Sequence, residues 1–267
     1  MSVVNPKYRP PNIVPLGQVR AGNDYYDEEA DALDRDAYYG TISQEAESLP
    51  GKDLYLKLSS LLKETHVPQT SYGETKKHLF GWVDRRPDGN LYNLYEGDGP
   101  KAELMHPVQS ESTLENYNCE HVVPQAWAKH DKPMKTDLHH LFTEDIDRNN
   151  VRGNNAIRDL TPNGEAPSQG ILDESSQSFE PKGGKGEIAR AVLYFVTRYP
   201  GDIGNSEGEY QVADLKQLLQ WHRDYPVSDY ERHRNDAIEE IQGNRNPYID
   251  FPALASRVDF AQGFATR

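Results

Sequence analysis

The segment Asn118-Cys119-Glu120-His121-Val122-Val123-Pro124-Gln125 is followed by Asp137-Leu138-His139-His140-Leu141 and then by Arg148-Asn149-Asn150-Val151-Arg152-Gly153-Asn154-Asn155. Carboxylate, imidazole, amide and guanidinium groups are crowded into residues 117–155. Leu138–Leu141 reads as a short strand, preceded by a first strand with His121 near its end. Phe142-Thr143-Glu144-Asp145 reads as a helix start, with Thr143 as N-cap and two acids in the first turn. On that helix Asn149 and Arg152 are three apart and share a face. The predicted local unit is strand, connection, strand, helix.

The residue types suit hydrolysis of a phosphodiester. That reaction takes an activated water, neutralisation of developing oxygen charge and help for the leaving group. Mg²⁺ prefers oxygen ligands and keeps several waters, so one or two protein ligands suffice. Glu120 offers a carboxylate and Asn149 an amide oxygen. His121 has a ring whose ordinary pKa lies near working pH, as a general base requires. His139 and His140 read as supporting residues beneath such a site rather than as ligands.

Working outward, residues 1–36 read as an extended or poorly ordered arm. It holds Pro6, Pro10, Pro11 and Pro15, an acidic run at 27–31, and Tyr25 and Tyr26 as anchors. The remainder, 37–267, reads as one catalytic domain. Leu54, Leu58, Leu61 and Leu62 fall on one helical face. His78–Val83 and Leu91–Tyr95 flank Pro87-Asp88-Gly89 and read as a hairpin. Residues 161–185 are loop-like. Gly186–Tyr199 has little polar face and reads as the buried central helix. Val212–Asp224 forms another helix. A further helix over Ser228–Gln242 opens with a Ser228/Glu231 capping box and stops at Gly243.

Composition narrows the function classes. No run of 18 apolar residues exists to span a membrane. Cys119 is the single cysteine, which rules out an intramolecular disulfide and a Cys-rich zinc module. The first residues lack the pattern of a secretory signal. Net charge is −14, which counts against a nucleic-acid partner, but the charge is uneven. Residues 202–250 carry eleven acids against five Lys/Arg, whereas residues 181–200 carry four Lys/Arg against one acid.

The ordered series of motifs resembles the bacterial endonuclease I family, within the His-Me finger (ββα-metal) nucleases. It comprises Glu120-His121-Val122-Val123-Pro124-Gln125, residues 133–141, and Asn149 with Arg152 and Asn154. Tyr95-Glu96-Gly97, Ile188–Ala191, Trp221-His222 and residues 229–252 extend it, so that the likeness runs from about Tyr38 to about Val258. The resemblance implies an α+β fold, mainly helical, around a ββα-metal finger at about 112–155. It implies a metal-dependent nuclease of little sequence preference acting on DNA, with RNA as a second substrate, leaving 5′-phosphate and 3′-hydroxyl ends. Carried over by position, His121 is the general base, Glu120 and Asn149 bind Mg²⁺ (with Mn²⁺ or Ca²⁺ as substitutes), and Arg152 contacts phosphate or stabilises the transition state. It further implies a secreted or periplasmic protein with no membrane or obligate protein partner.

Two departures stand out. Only residues 122–136 separate His121 from Asp137, and the disulfides of some members cannot form. An arginine that such members carry in a longer insert has no counterpart, leaving Lys129, Lys132 and Lys135 as candidates. Arg190 and Arg198 read equally as a helix's solvated edge or as nucleic-acid contacts. An alternative reading is a zinc hydrolase or zinc-stapled binding module built on Cys119, His121, His139 and His140, although no HExxH pattern occurs.

Overall fold

A computed structural model describes residues 25–68, 71–97, 104–105, 117–128, 133–161 and 167–266. The chain enters through helix α1 (Glu28–Tyr39), capped by Asp27, whose carboxylate accepts from the Glu29 and Ala30 N–H groups. The acids that suggested a disordered arm therefore sit in a first helical turn, where the helix dipole favours them. Asp31 is buried and pairs with Arg245, and Tyr25 stacks on His233 at 3.9 Å. Residues 1–24 of the expected arm lie outside the described residues.

A short helix α2 (Ile42–Glu45) leads to α3 (Gly51–Thr65), whose Leu54, Leu58 and Leu62 are fully buried. Helix α4 (Tyr72–His78) runs straight into a π-helical turn over Leu79–Val83. The hairpin expected over 78–95 is not formed. All five residues of that turn are buried, so packing against β4 and α8, defined below, overrides their strand propensity. Strand β1 (Leu91–Tyr92) pairs instead with β2 (Leu104–Met105).

Strand β3 (Asn118–His121) pairs antiparallel with β4 (Leu141–Glu144), in register Glu120 with Phe142 and His121 with Leu141. Leu138–His140, expected in the strand, forms a 3₁₀ turn capped by Asp137. Helix α5 (Ile146–Arg152) begins two residues later than expected. Its N-cap is Asp145, which accepts from the Asp147 and Arg148 N–H groups, while Thr143 stays in β4. Beyond it, β5 (Ala156–Ile157), β6 (Ile171–Asp173) and β7 (Ser178–Glu180) form a small mixed sheet of order β5-β7-β6. Two strands thus interrupt the stretch read as loop.

Helix α6 (Lys185–Arg198) is buried on nearly every side and packs against α3 and against α7 (Leu215–Asp224). Val212–Asp214 is a 3₁₀ turn ahead of α7, with Val212 exposed. Helix α8 (Asp229–Gln242) carries the anticipated reciprocal cap. Ser228 Oγ accepts from Glu231 N at 3.3 Å, and the Glu231 carboxylate accepts from Ser228 N at 3.2 Å. Gly243 closes the helix at φ +80°, and α9 (Pro247–Asp250) follows. The architecture is α+β: helices gathered around α6, with small sheets at one side. Among the described residues no helix is long and apolar enough to cross a membrane.

Candidate active site

The antiparallel β3–β4 pair followed at once by α5 brings the two halves of the motif together. Glu120 and Arg152 meet as an ion pair, each side chain 1 % exposed. Arg152 Nη1 also donates to the His121 carbonyl at 2.8 Å, Nη2 to the Val122 carbonyl at 2.7 Å, and Nε to the Asn155 carbonyl at 2.9 Å. Its guanidinium therefore ties the end of α5 to the end of β3. Its ion-pair partner thus comes from β3 and not from an acid of its own helix. Burial pushes the Glu120 carboxyl up, and Arg152 pulls it back toward the charged form.

His121 ends β3. Its Nε2 lies 3.1 Å from the Lys135 carbonyl and its Nδ1 lies 3.2 Å from the Gln125 amide nitrogen. A carbonyl can only accept, so Nε2 carries the proton and Nδ1 presents its lone pair, to which Gln125 donates. Burial, helped by His140 and Arg152, pushes the imidazole down to about 3, so the ring is neutral at any ordinary pH. The His140 ring packs edge-on against it at 5.5 Å, and Tyr72 lies on it at 5.9 Å.

Asn149 sits on α5 one helical turn before Arg152 and is half-buried. Asn154 lies past the helix end, exposed. Lys135 contributes its backbone carbonyl to His121, while its ammonium lies 5.3 Å from the Tyr72 ring. Sequence reasoning by side-chain type could not find that carbonyl. Lys129 and Lys132 lie outside the described residues.

His139 and His140 diverge. His139 Nε2 donates to the Asn244 carbonyl at 3.0 Å, and His140 Nε2 donates to the Met134 carbonyl at 2.7 Å. Between them Asp137 is wholly buried and accepts from Tyr194 and Tyr199 hydroxyls at 2.8 Å each and from Gln242 at 2.8 Å. Although burial opposes it, His66, His139 and His140 hold this carboxyl far below the usual range. Nothing in its sequence neighbourhood distinguishes it from a surface turn acid; its partners arrive from helices more than 50 residues away.

Arg190 is neither a solvated edge nor free for a nucleic acid. It is 1 % exposed and forms a two-pronged pair with Glu231 at 2.5 and 2.8 Å. Arg198 donates to His66 Nδ1 at 3.3 Å. The zinc alternative is overturned as well. Cys119 is buried with its thiol pushed up to about 12 by burial. Among the described residues no three His, Cys, Asp or Glu side chains converge as a metal-holding group.

A family model for Endonuclease I matches residues 51–253, well over half of the chain. The chain belongs to the Endonuclease I family. Among its curated relatives, an extracellular ribonuclease of Bacillus subtilis (strain 168) is 32 % identical over 195 residues, covering 66 % of this chain and 63 % of the relative. An extracellular deoxyribonuclease of Aeromonas hydrophila is 30 % identical over 183 residues, 58 % of this chain and 77 % of its own. A periplasmic deoxyribonuclease of the same organism is 34 % identical over 122 residues, covering 44 % and 48 %. The match to the Bacillus protein spans under two thirds of that relative's length. Every residue of the Glu120, His121, Asn149 and Arg152 set lies inside the segment matched to Endonuclease I.

Proposed function

We propose that this Endonuclease I chain is a divalent-metal-dependent endonuclease that hydrolyses DNA, and RNA as a second substrate, with little sequence preference. One observation carries the reading: His121, next in the chain to the buried Glu120, is fixed with Nε2 on a carbonyl and with Nδ1 presenting an uncharged lone pair. His121 Nδ1 takes the proton of an attacking water as its oxygen bonds to phosphorus and the bond to the 3′-oxygen breaks. The leaving oxygen takes a proton from solvent, giving 5′-phosphate and 3′-hydroxyl ends. Gln125 holds Nδ1 through a long contact and has to swing off it to admit the water.

The donor set suits Mg²⁺ and suits zinc poorly. Glu120 and Asn149 offer one carboxylate and one amide oxygen, the few hard ligands this ion accepts, with Mn²⁺ or Ca²⁺ as substitutes. The ion would supply electrostatic relief for charge gathering on the phosphate oxygens. Arg152 makes four protein contacts, so its role in this reading is to position Glu120, in place of the phosphate contact expected from sequence. Relatives named extracellular and periplasmic support action outside the cytoplasm. The test is cleavage of supercoiled plasmid with Mg²⁺. Linear products whose 5′ ends are phosphorylated and whose formation stops on chelation fit the proposal; metal-independent cutting overturns it.

A further inference from the structure

Beside α5 lies a cavity of about 330 Å³, large enough for a small planar ligand. Tyr95 and Phe179, with ring centroids 5.1 Å apart, form its buried wall. Val151 and Gln169 stand at its opening together with Arg148 and Glu96. Val151 is 52 % exposed, a branched apolar side chain turned to solvent one residue before Arg152.

The charge at this opening is opposite in sign to the net charge of the whole chain. Glu96 is shared by two cations, Arg148 at 3.0 Å and Lys182 at 2.5 Å, so the cluster is net positive in a chain of net charge −14. Both cations keep about a third of their side chains open to solvent (35 % and 29 %), while the carboxylate they share is 9 % exposed. The neighbouring acid Asp145 is committed to the N-terminus of α5. Asp147, the other acid of that first turn, is exposed on α5.

The cluster is also built rigidly. Gly183 N donates to the Tyr95 carbonyl at 2.8 Å, and a Cβ on Gly183 would come within 2.6 Å of the Glu96 carbonyl oxygen. Tyr95 N in turn donates to the Glu144 carboxylate at 2.9 Å, fastening the turn to β4. The turn Tyr95–Gly97 and the segment Lys182–Gly184 are thus clamped together next to the helix that carries Asn149 and Arg152.

We propose that this cavity is a subsite for one nucleotide flanking the scissile phosphate of a nucleic-acid strand. The proposal rests on the nuclease reading above and adds to it where the strand runs. A flanking phosphate lies on Arg148 and Lys182, and its unstacked base enters the cavity against Val151. Such a base must leave its stack, which is cheapest in single strands and frayed ends.

Binding by the full-length His121→Ala protein, in Mg²⁺ and at several salt concentrations, tests the subsite without turnover. The probes are fluorescent single-stranded hexanucleotides, intact or carrying one abasic position. Adding Lys182→Gln or Arg148→Gln should weaken the intact probe roughly tenfold, as loss of one charge-assisted contact does. Each should also lower the salt slope by about 0.7, the value for one phosphate on a single strand, and Lys182→Arg should restore both. Val151→Trp, which fills the cavity, should weaken the intact probe and leave the probe abasic at one position unaffected. Unchanged affinity and slope in Lys182→Gln overturns the subsite, as does a Val151→Trp loss that is equal for every probe. Plasmid cleavage by the unsubstituted chain separates the two readings. Cutting with an unaltered Lys182→Gln sinks the subsite alone, whereas strand binding through these residues without any cutting sinks the nuclease.

Discussion

Arg152 and Glu120 form an ion pair almost wholly removed from solvent, and the same guanidinium holds the carbonyls of His121 and Val122. Removing one partner of a buried pair leaves an uncompensated charge, at a cost of roughly 3–5 kcal/mol. Arg152→Met should therefore lower the thermal midpoint by roughly 10 °C. Adding Glu120→Gln should recover part of the loss, since both charges are then gone. A Tm for Arg152→Met within about 2 °C of the parent would show that the pair carries little of the stability.

His121→Ala removes the proposed base and leaves phosphate contacts in place. Cleavage should fall by roughly 10²–10⁴-fold in kcat, the range for a general base. The Kd for an oligonucleotide should stay within about twofold. Comparable losses in both quantities would assign His121 to strand binding.

Two buried histidines should work against the fold in acid, within a defined window. Burial pushes His66 and His139 down to about 4 from an ordinary value near 6.5. Between those values the unfolded chain binds protons that the folded chain refuses. What these two rings contribute is therefore full above about 6.5 and falls as pH drops toward 4, by roughly 1.4 kcal/mol per pH unit for each, while Glu144 and Asp236, pushed up by burial to about 8 and about 7, act in the opposite direction over the same window. The depressed Asp137 carboxyl adds a further loss below its ordinary value near 3.8. Urea midpoints at pH 7, 5.5 and 4.5 for the parent and for His139→Gln measure this; the same pH slope in both would mean the ring is hydrated in solution.

Gly184 sits at φ +73°, and a Cβ there would run into the Leu94 carbonyl. Gly184→Ala combines the cost of a left-handed residue with overpacking, at least about 2 kcal/mol. Chemical denaturation would register this. Parent-like stability would show that the clamp between Leu94–Gly97 and Lys182–Gly184 is loose.

Features written in local pattern were readable from the sequence. The capping box of Ser228 and Glu231, the apolar helix around 186–199 and the strand–strand–helix order of 118–152 all rest on neighbours within a few residues. The errors came where distant residues decide. Leu79–Val83 has strand-like composition, yet it becomes a helical turn because α8 and β4 enclose it. Asp27–Asp31 looked like a solvated run, yet Arg245 makes one of those acids a buried partner. Arg190 looked available for phosphate until α8 supplied Glu231. In the candidate site, residue type singled out Glu120, His121, Asn149 and Arg152 as candidates, and the fold adds the pairing of Arg152 with Glu120. The Lys135 carbonyl that sets the imidazole tautomer carries no side-chain signature at all.

The contact between Asp31 and Arg245 spans 214 residues, and Arg245 also gathers Glu239 and Asp250. During synthesis the first described helix leaves the ribosome long before its guanidinium partner exists. Until then Asp31 keeps its water and lacks its buried partner, so this contact waits until residue 245 has been made. Pairings of such separation slow folding.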